Sequence, residues 1–378
     1  MTIADERIIV AESTSMVAAT HHGGVEVVEH WAEEWRDLCN QSVDDQPFYR
    51  PEWIAAHIRA FAPKAEVVLL TVSFEGKLLF VLPLLREWSV FSGVPLRKLR
   101  GPVNSHSCRF DAVRHSGSRG DAAVVVAWNY LQNLPGWDLL ELHDVPEGGA
   151  IAALVAEAGK SGARTAQVPN RRNPYVRVPA NPSDLDKLPV NARLRGKLRH
   201  IRRELDGQGG LSFLRVEKVD PVVLNRFYEL ESSGWKGTER SAIACHPNIR
   251  QFYDEISQAA QRFGYFCMYS LELNGELLAA HLGLAYRGRY YSPKIAYNEK
   301  FPQYAPGHLI VSEILHDCAS RGISEYDITG VNDEWKMKWT SETRAKFVYF
   351  IFRQGLPGNL AHAIRFRIRP AVKKLVRR

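Results

Sequence analysis

Alternating apolar residues predict two β-hairpins of the same form, one in each half of the chain. The first joins VVLLTVSF to KLLFVLPLL through Glu75-Gly76, and the second turns at Asn274-Gly275 within YFCMYSLELNGELLAAHLGLAY. Apolar and β-branched residues around a glycine turn are typical of hairpins. After each hairpin the pattern predicts a helix and then a strand, at 121–134 and 137–142 in the first half and at 307–321 and 323–329 in the second.

The elements around the hairpins also repeat. Strands are predicted at 25–30, 211–219, 289–297 and 345–353, and helices at 31–40, 51–62, 221–236, 248–264 and 333–339. Gly76 and Gly275 lie 199 residues apart, so one βααβββαβ-like unit occurs twice. A repeat of about 190 residues is a domain duplication rather than a solenoid. The sequence therefore predicts an α/β fold with mixed sheets in two tandem domains.

The domain boundaries follow from this repeat. A chain of 378 residues suits two domains of about 150–200 residues each. The predicted order is a disordered leader at 1–24, an N-terminal domain at 25–182, a basic linking helix at 183–209, a C-terminal domain at 210–356 and a basic amphipathic tail at 357–378.

Several segments resemble a known family. They are ESSGWKGTERSAI (231–243), KIAYNEKFPQYAPGHLI (294–310), YDITGVNDEWKMKW (326–339) and the R-x-x-L-R-x-x-R-R-E helix before them. In these segments, and in its order of elements, the second half resembles GNAT acyltransferases of the acetyltransferase-like family that includes cellulose-biosynthesis CelD proteins. The tandem halves are also similar to FemABX aminoacyltransferases. The resemblance covers roughly residues 45–345 and is strongest from 190 onward.

The resemblance implies acyl transfer. The co-substrate would be acyl-CoA or acyl carrier protein, with no permanently bound cofactor, and the acceptor would be an amine. One departure concerns the usual pyrophosphate loop, Q/R-x-x-G-x-G/A, which stands here as Gln303-Tyr304-Ala305-Pro306-Gly307-His308 with one glycine fewer.

Pro306, Gly307 and His308 are the predicted cofactor-binding residues. They begin a helix after a strand, and the free amides and dipole of a helix N-terminus attract phosphate. An ordinary proline-initiated helix is the alternative interpretation.

Two residues are candidates for the base that deprotonates the amine. His281 lies in an apolar strand, and Asp327 ends the strand SEYDIT. An imidazole that titrates near neutral pH suits proton removal, and a carboxylate can serve the same role. A hydrogen-bonded core histidine is the alternative for His281.

Cations and aromatic residues form the predicted substrate-binding set. Trp235 and Lys236 stand between two glycines in SGWKG, where an exposed loop could face substrate, although a helix C-cap with a packed indole is the alternative. Arg195, Arg199 and Arg202 share one helix face, which could bind the phosphate of a substrate. A solvated surface without a ligand is the alternative interpretation. The set is completed by three residues of the quoted segments, Lys294, Tyr304 and Lys336.

Charge and composition narrow the classes further. Five scattered cysteines without a CxxC pair predict neither disulfides nor a metal site. All of the net charge of +7 resides in residues 359–378, since the rest of the chain carries 42 cations and 42 acids. This pattern argues against a nucleic-acid partner, and the tail, with apolar residues at helical spacing, is expected to bind an anionic membrane surface. A helix docked on its own domain is the alternative.

The functional prediction is an N-acyltransferase that uses acyl-CoA or acyl carrier protein. Its acceptor would be a primary amine of a lipid, such as a sphingoid base or amino-lipid, or of an envelope or polysaccharide precursor. We expect a cytoplasmic protein that binds peripherally at the inner face of the membrane. The alternatives are FemABX-like aminoacyl transfer and a non-catalytic accessory role in exopolysaccharide (cellulose) synthesis.

Overall fold

A computed structural model describes residues 6–9, 16–188, 190 and 192–376. It divides into two compact units. The first contains the described residues up to Asn170 together with those from Ala345 onward, and the second is Arg171–Arg344.

The described residues before 171 form eight strands and five helices. In chain order these are β1 (Glu6–Ile9), β2 (Met16–Gly23), α1 (Glu26–His30), α2 (Ala32–Gln41), α3 (Pro51–Phe61), β3 (Glu66–Phe74), β4 (Lys77–Phe91), β5 (Val94–Arg100), β6 (Val113–Arg114), α4 (Ser118–Asn133), β7 (Leu139–Pro146), α5 (Ala150–Lys160) and β8 (Arg164–Pro169).

The second unit follows with seven strands and six helices. They are β9 (Asn173–Arg177), α6 (Ala192–Gln208), β10 (Leu211–Val216), α7 (Pro221–Ser233), α8 (Trp235–Thr238), α9 (Pro247–Arg262), β11 (Met268–Leu273), β12 (Glu276–Tyr286), β13 (Arg289–Tyr297), α10 (Pro306–Ser320), β14 (Glu325–Asp327), α11 (Glu334–Met337) and β15 (Thr343–Arg344).

The chain then returns to the first unit. It forms β16 (Lys346–Phe352), α12 (Leu356–Ala363), a π-helical turn at Ile364–Ile368 and α13 (Arg369–Val376). Among the described residues, no helix has the length and apolar character needed to cross a membrane.

Each unit is built on one mixed sheet. The first sheet has the order β1-β2-β3-β4-β5-β7-β16-β8, with β6 beside β4, and the second has the order β10-β11-β12-β13-β14-β9-β15. In both sheets all neighbours are antiparallel except one pair, β5 with β7 in the first and β13 with β14 in the second.

The predicted fold class is confirmed. β2, β3, β4, β5 and β7 have the same order and directions as β10, β11, β12, β13 and β14, and each series has helices at equivalent places in the chain. Both predicted hairpins form, through Phe74↔Lys77 and Leu273↔Glu276. The fold is therefore a mixed α/β duplication.

The units exchange one strand each, so their limits differ from the predicted boundaries. β9 lies between β14 and β15 in the second sheet, whereas β16 lies between β7 and β8 in the first. The region predicted as a linker contains α6, which is part of the second unit, and residues 345–356 belong to the first. Local periodicity predicts a strand but not the sheet that contains it, because pairing with distant residues decides that.

The start of the chain also departs from the prediction. Met16–Gly23, placed in a disordered leader, is a strand that pairs with β3 along its length, and the remainder of that leader lies partly outside the described residues. Residues 25–30, predicted as a strand, contain helix α1 instead. The Glu26 carboxylate accepts a hydrogen bond of 2.8 Å from the amide of Gly24, and Val27 and Val28 are buried.

We expect Gly283→Ala to destabilise the second unit. A methyl group there would lie 2.1 Å from the hydroxyl oxygen of Tyr290, whose side chain is fully buried. Overpacking of this kind costs about 1–3 kcal/mol. The measurement is the free energy of unfolding in urea. Gly207→Ala is the control, since its Cβ would meet open space and alanine favours a helix by about 1 kcal/mol over glycine. Equal effects of the two substitutions would contradict the packing argument.

Candidate functional site

The second unit contains a gap between its two parallel strands. β13 and β14 pair only through Arg289↔Glu325, Tyr290↔Tyr326 and Tyr291↔Asp327. The next carbonyl of β13, that of Ser292, accepts a hydrogen bond of 2.7 Å from the Thr329 hydroxyl, and Pro293 has no amide hydrogen to donate. The two strands therefore diverge after three pairs.

A β-bulge lies at the point of divergence. In the pairing of β12 with β13, Leu282 faces Lys294 but Leu284 faces Tyr291, so Ser292 and Pro293 together oppose Gly283. Bulges bend a strand and change the direction of its side chains, and they are common beside active sites. Thr329, across the gap, has a left-handed φ of 52°, which a β-branched residue rarely adopts.

A cavity of about 720 Å³ occupies this gap. Its walls come from β13, the turn after β14, the first turn of α10, α8 and α11. Its lining includes Trp235, Lys236, Ser292, Pro306, Gly307, His308, Thr329, Trp335 and Lys336.

The start of α10 forms one end of the cavity. Ala305 precedes it with a left-handed φ of 43°, and Pro306 is the first helical residue. The amides of His308 and Leu309 donate to the carbonyl of Ala305. A Cβ on Gly307 would lie 3.2 Å from the ring of Tyr297. The three predicted cofactor-binding residues thus lie together in the wall, at a helix end whose dipole favours an anion.

The cavity lysines are already paired with acids. Lys236 donates to a Glu231 carboxylate oxygen at 2.9 Å and to the carbonyl of Ile295 at 2.8 Å. Lys336 lies 3.1 Å from the Asp333 carboxylate and donates to the carbonyls of Thr329 and Val331. Both lysines, which the sequence predicts to bind substrate, line the cavity, but each brings a local dipole rather than a free charge.

Glu231 is a buried residue that the sequence analysis did not single out. Its carboxylate also accepts a hydrogen bond of 2.8 Å from the amide of Ile243 and lies 3.8 Å from the ammonium of Lys294. Lys294 faces the ring of Tyr253 and is outside the cavity lining. The only sequence signal for Glu231 is its place at the start of ESSGWKG. Trp235, in the same segment, is 48% exposed and forms a cavity wall.

His281 lies behind Ser292 rather than in the cavity wall. Its side chain is fully buried, and its Nδ1 is 2.9 Å from the Ser292 hydroxyl and 3.3 Å from that of Tyr326. Burial, and to a smaller extent the charge of Lys236, lowers the pKa of His281 to about 3. The imidazole is therefore neutral near pH 7 and reaches the cavity only through Ser292.

Asp327 and Tyr304 have structural contacts. The Asp327 carboxylate accepts hydrogen bonds of 2.9 Å from the side-chain amide of Asn173 and from the amide of Thr329, and lies 3.6 Å from Arg344. These contacts join β14 to its neighbours β9 and the turn that follows. Tyr304 stacks on Phe301 against the core. Neither belongs to the cavity lining. In the described part of the chain, no group of His, Cys, Asp and Glu could hold a metal ion.

The predicted arginines line a second, smaller cavity of about 350 Å³ between α6 and α10. Arg195 donates a hydrogen bond of 2.8 Å to the backbone carbonyl of Leu188. Arg199 lies 3.7 Å from the carboxylate of Asp186, and Arg202 lies 2.6 Å from that of Glu313. Trp339 connects the two cavities, since it lines the second and donates its indole N–H to Nδ1 of His308 at 3.1 Å.

Comparison with known proteins relates the second unit to one family and both units to known folds. Residues 192–337 match the family described as Acetyltransferase (GNAT) domain. No curated protein matches the chain. The fold is similar to that of FemX (12% identity, TM-score 0.59, 88% of this chain and 98% of that one). It is also similar to that of the C-terminal domain (DUF2156) of a proposed lysylphosphatidylglycerol synthetase from Agrobacterium fabrum (12% identity, TM-score 0.51, 89% of this chain and 95% of that one). A conserved protein of unknown function from Bacteroides thetaiotaomicron has a similar fold as well (10% identity, TM-score 0.54, 85% of this chain and 97% of that one).

These likenesses establish the fold over both units, and the family match lies on the unit that holds the cavity. Residues 192–337 thus match the GNAT acetyltransferase family, and the two mixed sheets are consistent with the tandem GNAT-like fold that the sequence predicts.

We expect His281 to make the second unit sensitive to acid. The unfolded imidazole binds a proton near pH 6.5, whereas the folded one resists it down to about pH 3. Unfolding therefore takes up a proton in this window, and stability falls as pH decreases, by about 1.4 kcal/mol per pH unit. His281→Gln should flatten this slope in urea unfolding measured from about pH 7 to pH 4. Tyr326→Phe, which keeps the imidazole, should retain it, and an unchanged slope in His281→Gln would contradict the assignment.

Proposed function

We propose that this chain is an N-acyltransferase that moves an acyl group from acyl-CoA, or from acyl carrier protein, to a primary amine. The observation that carries the proposal is the cavity between β13 and β14, whose lining includes both the first turn of α10 and Ser292. The helix end suits the phosphates of the acyl donor, and the gap between the strands suits its phosphopantetheine arm.

The distance between the two ends supports this orientation. Gly307 lies against Tyr297, and Ser292 is five residues earlier on the same strand. At 3.3 Å per residue the separation is about 16 Å. An extended phosphopantetheine arm has a comparable length. An acyl donor with its phosphates at Gly307 would therefore bring its thioester near Ser292.

The walls of the cavity favour an acceptor with apolar parts. The indoles of Trp235 and Trp335 line it, and its two lysines are neutralised by Glu231 and Asp333. The chemistry fits a lipid amine, such as a sphingoid base or an amino-lipid, better than a highly charged acceptor. An amine of an envelope or polysaccharide precursor is the other acceptor of the same class.

Aminoacyl transfer from a charged tRNA is a second candidate. The likeness in fold to FemX, over both units, favours it. The balance of 42 cations and 42 acids outside residues 359–378 counts against a large polyanion as partner.

An anionic membrane surface is the proposed partner of the tail. Ala361, Ile364 and Phe366 pack against the core of the first unit, so part of the tail is docked. Its other face presents Leu360, Ile368 and Val372, each at least half exposed, beside the exposed cations Arg365, Arg367 and Arg369. Exposed aliphatic and cationic residues on one helical segment are typical of interfacial binding.

We expect CoA to stabilise the protein. A ligand that binds only the folded state adds about 2.7 kcal/mol at 100 times its Kd, which a thermal or urea unfolding series with CoA will show. Gly307→Val should reduce this gain, because the added side chain meets Tyr297 and fills the anion end. Gly207→Val, in open space on α6, is the matched control. If CoA does not raise the stability of the wild-type protein, CoA is not the acyl carrier.

Turnover tests the reaction itself. Thiol release from acetyl-CoA and palmitoyl-CoA is measured with sphinganine, phosphatidylethanolamine and glucosamine as acceptors, and the acylated amine is identified by mass spectrometry. We expect transfer from an acyl-CoA to at least one lipid amine. Transfer only from lysyl-tRNA would favour the aminoacyl candidate instead.

We expect the tail cations to hold the protein on anionic vesicles. Each contributes about 1 kcal/mol near such a surface, so changing Arg365, Arg367 and Arg369 to Gln should weaken binding to phosphatidylglycerol vesicles on the order of 100-fold. Binding should also fade as salt approaches about 0.5 M. The control changes three exposed arginines of the other unit, Arg240, Arg262 and Arg287, to Gln. Equal losses in the two variants, or equal binding to neutral phosphatidylcholine vesicles, would contradict a tail-specific surface.

A further inference from the structure

Ser292 lies where β13 meets the cavity, and two buried side chains, His281 and Tyr326, contact its hydroxyl. It is 5% exposed and contributes to the cavity wall. Its hydroxyl oxygen lies 2.9 Å from Nδ1 of His281, and the Tyr326 hydroxyl lies 3.3 Å from the same nitrogen. The bulge opposite Gly283 places Ser292 where β13 leaves β14.

The surroundings of the imidazole determine which nitrogen carries its proton. Nε2 of His281 is buried and has no hydrogen-bond partner among the described residues. A neutral imidazole has one N–H and one lone pair. A buried N–H without an acceptor is rarer in proteins than a buried acceptor without a donor. The favoured tautomer therefore has its proton on Nδ1, where it donates to the Ser292 oxygen.

This tautomer leaves the Ser292 proton free for another acceptor. The serine oxygen accepts from Nδ1–H, so its own O–H is not used by His281. A serine hydroxyl has one donor and two acceptor sites. Nδ1–H of His281 and the neighbouring Tyr326 hydroxyl can both donate to the Ser292 oxygen, which leaves the Ser292 O–H for an acceptor in the cavity that Ser292 lines.

We propose that Ser292 is a catalytic residue that donates a hydrogen bond to the thioester carbonyl oxygen, and that His281 is its positioning residue. The proposal rests on the acyl-transfer function given above. The amine nitrogen attacks the carbonyl carbon, a C–N bond forms, and the π electrons move to the oxygen, where the Ser292 O–H stabilises the negative charge. When the C=O bond re-forms, the C–S bond breaks with its electrons on sulfur. The proton that the nitrogen loses neutralises the thiolate through solvent.

Kinetics of Ser292→Ala test the role of the hydroxyl. With the acyl-CoA and amine pair that the wild-type protein turns over, kcat should fall on the order of 100-fold to 1,000-fold, as for other oxyanion donors. The Kd for CoA should stay unchanged. The matched control is Ser270→Ala, a serine of equal burial on β11 of the same sheet. An unchanged kcat in Ser292→Ala would overturn the proposal.

The pH profile separates a positioning residue from a base. If His281 were the base, His281→Gln would remove a titrating limb from the profile of kcat against pH. If it orients Ser292, His281→Gln lowers kcat while the shape of the profile stays the same. A lost limb would therefore overturn the proposal.

A spectroscopic measurement is independent of turnover. In ¹⁵N-histidine NMR of the full chain, assigned by comparison with His281→Gln, we expect the proton of the neutral ring on Nδ1. A proton on Nε2 would make Nδ1 an acceptor, so that His281 could not donate to Ser292, and this result would overturn the proposal. If no acyl-CoA is turned over, the proposed function fails and the catalytic role of Ser292 fails with it. The tautomer observed by NMR still shows whether His281 donates its hydrogen bond to Ser292.

Discussion

The early end of pairing between β13 and β14 is the constraint on which the site depends. Parallel strands continue to pair while each offers free amides and carbonyls. Here the Ser292 carbonyl is occupied by Thr329, Pro293 has no amide hydrogen, and left-handed Thr329 and Gly330 turn the second strand away. Local strain of about 1–3 kcal/mol at a residue such as Thr329 persists only where the surroundings enforce it. The gap is thus built into the covalent chain and does not require a ligand to open it.

The first unit differs from the second at the position that corresponds to this gap. In the first unit the equivalent parallel pair ends at Arg100↔Glu141, and Gly101 follows. A Cβ on Gly101 would lie 2.6 Å from the ring of Phe110, which is buried. The protein's own side chain fills the place that corresponds to Ser292 in the second unit. The same arrangement of strands therefore serves as packed core in one unit and as a cavity wall in the other, and the family match to residues 192–337 lies on the open one.

Sequence periodicity was sufficient for the hairpins, for the helix and strand that follow each hairpin and for the helix that starts at Pro306, because these features depend on neighbours in the chain. It could not predict that β9 and β16 exchange sheets, since edge pairing depends on distant partners. Residue type was enough to select Gly307, Trp235 and Lys236, which line the cavity. Ser292 and Glu231 escaped notice because a serine in a strand and a glutamate in a helix are common. His281 was identified, but only the structure shows that it lies behind Ser292.

The electrostatics of the cavity suit a reaction that creates charge only briefly. Its lysines are paired, and its main fixed positive end is the start of α10. The imidazole of His281, which lies behind Ser292, is neutral because burial lowers its pKa to about 3. In the proposed acyl transfer, an ammonium would have to lose its proton before or during entry, because the paired lysines and His281 do not take it up. The protein would then align the amine with the carbonyl and stabilise the oxyanion through donors that need no reorganisation. A serine fixed by a neutral histidine meets this requirement because neither group changes charge during the step.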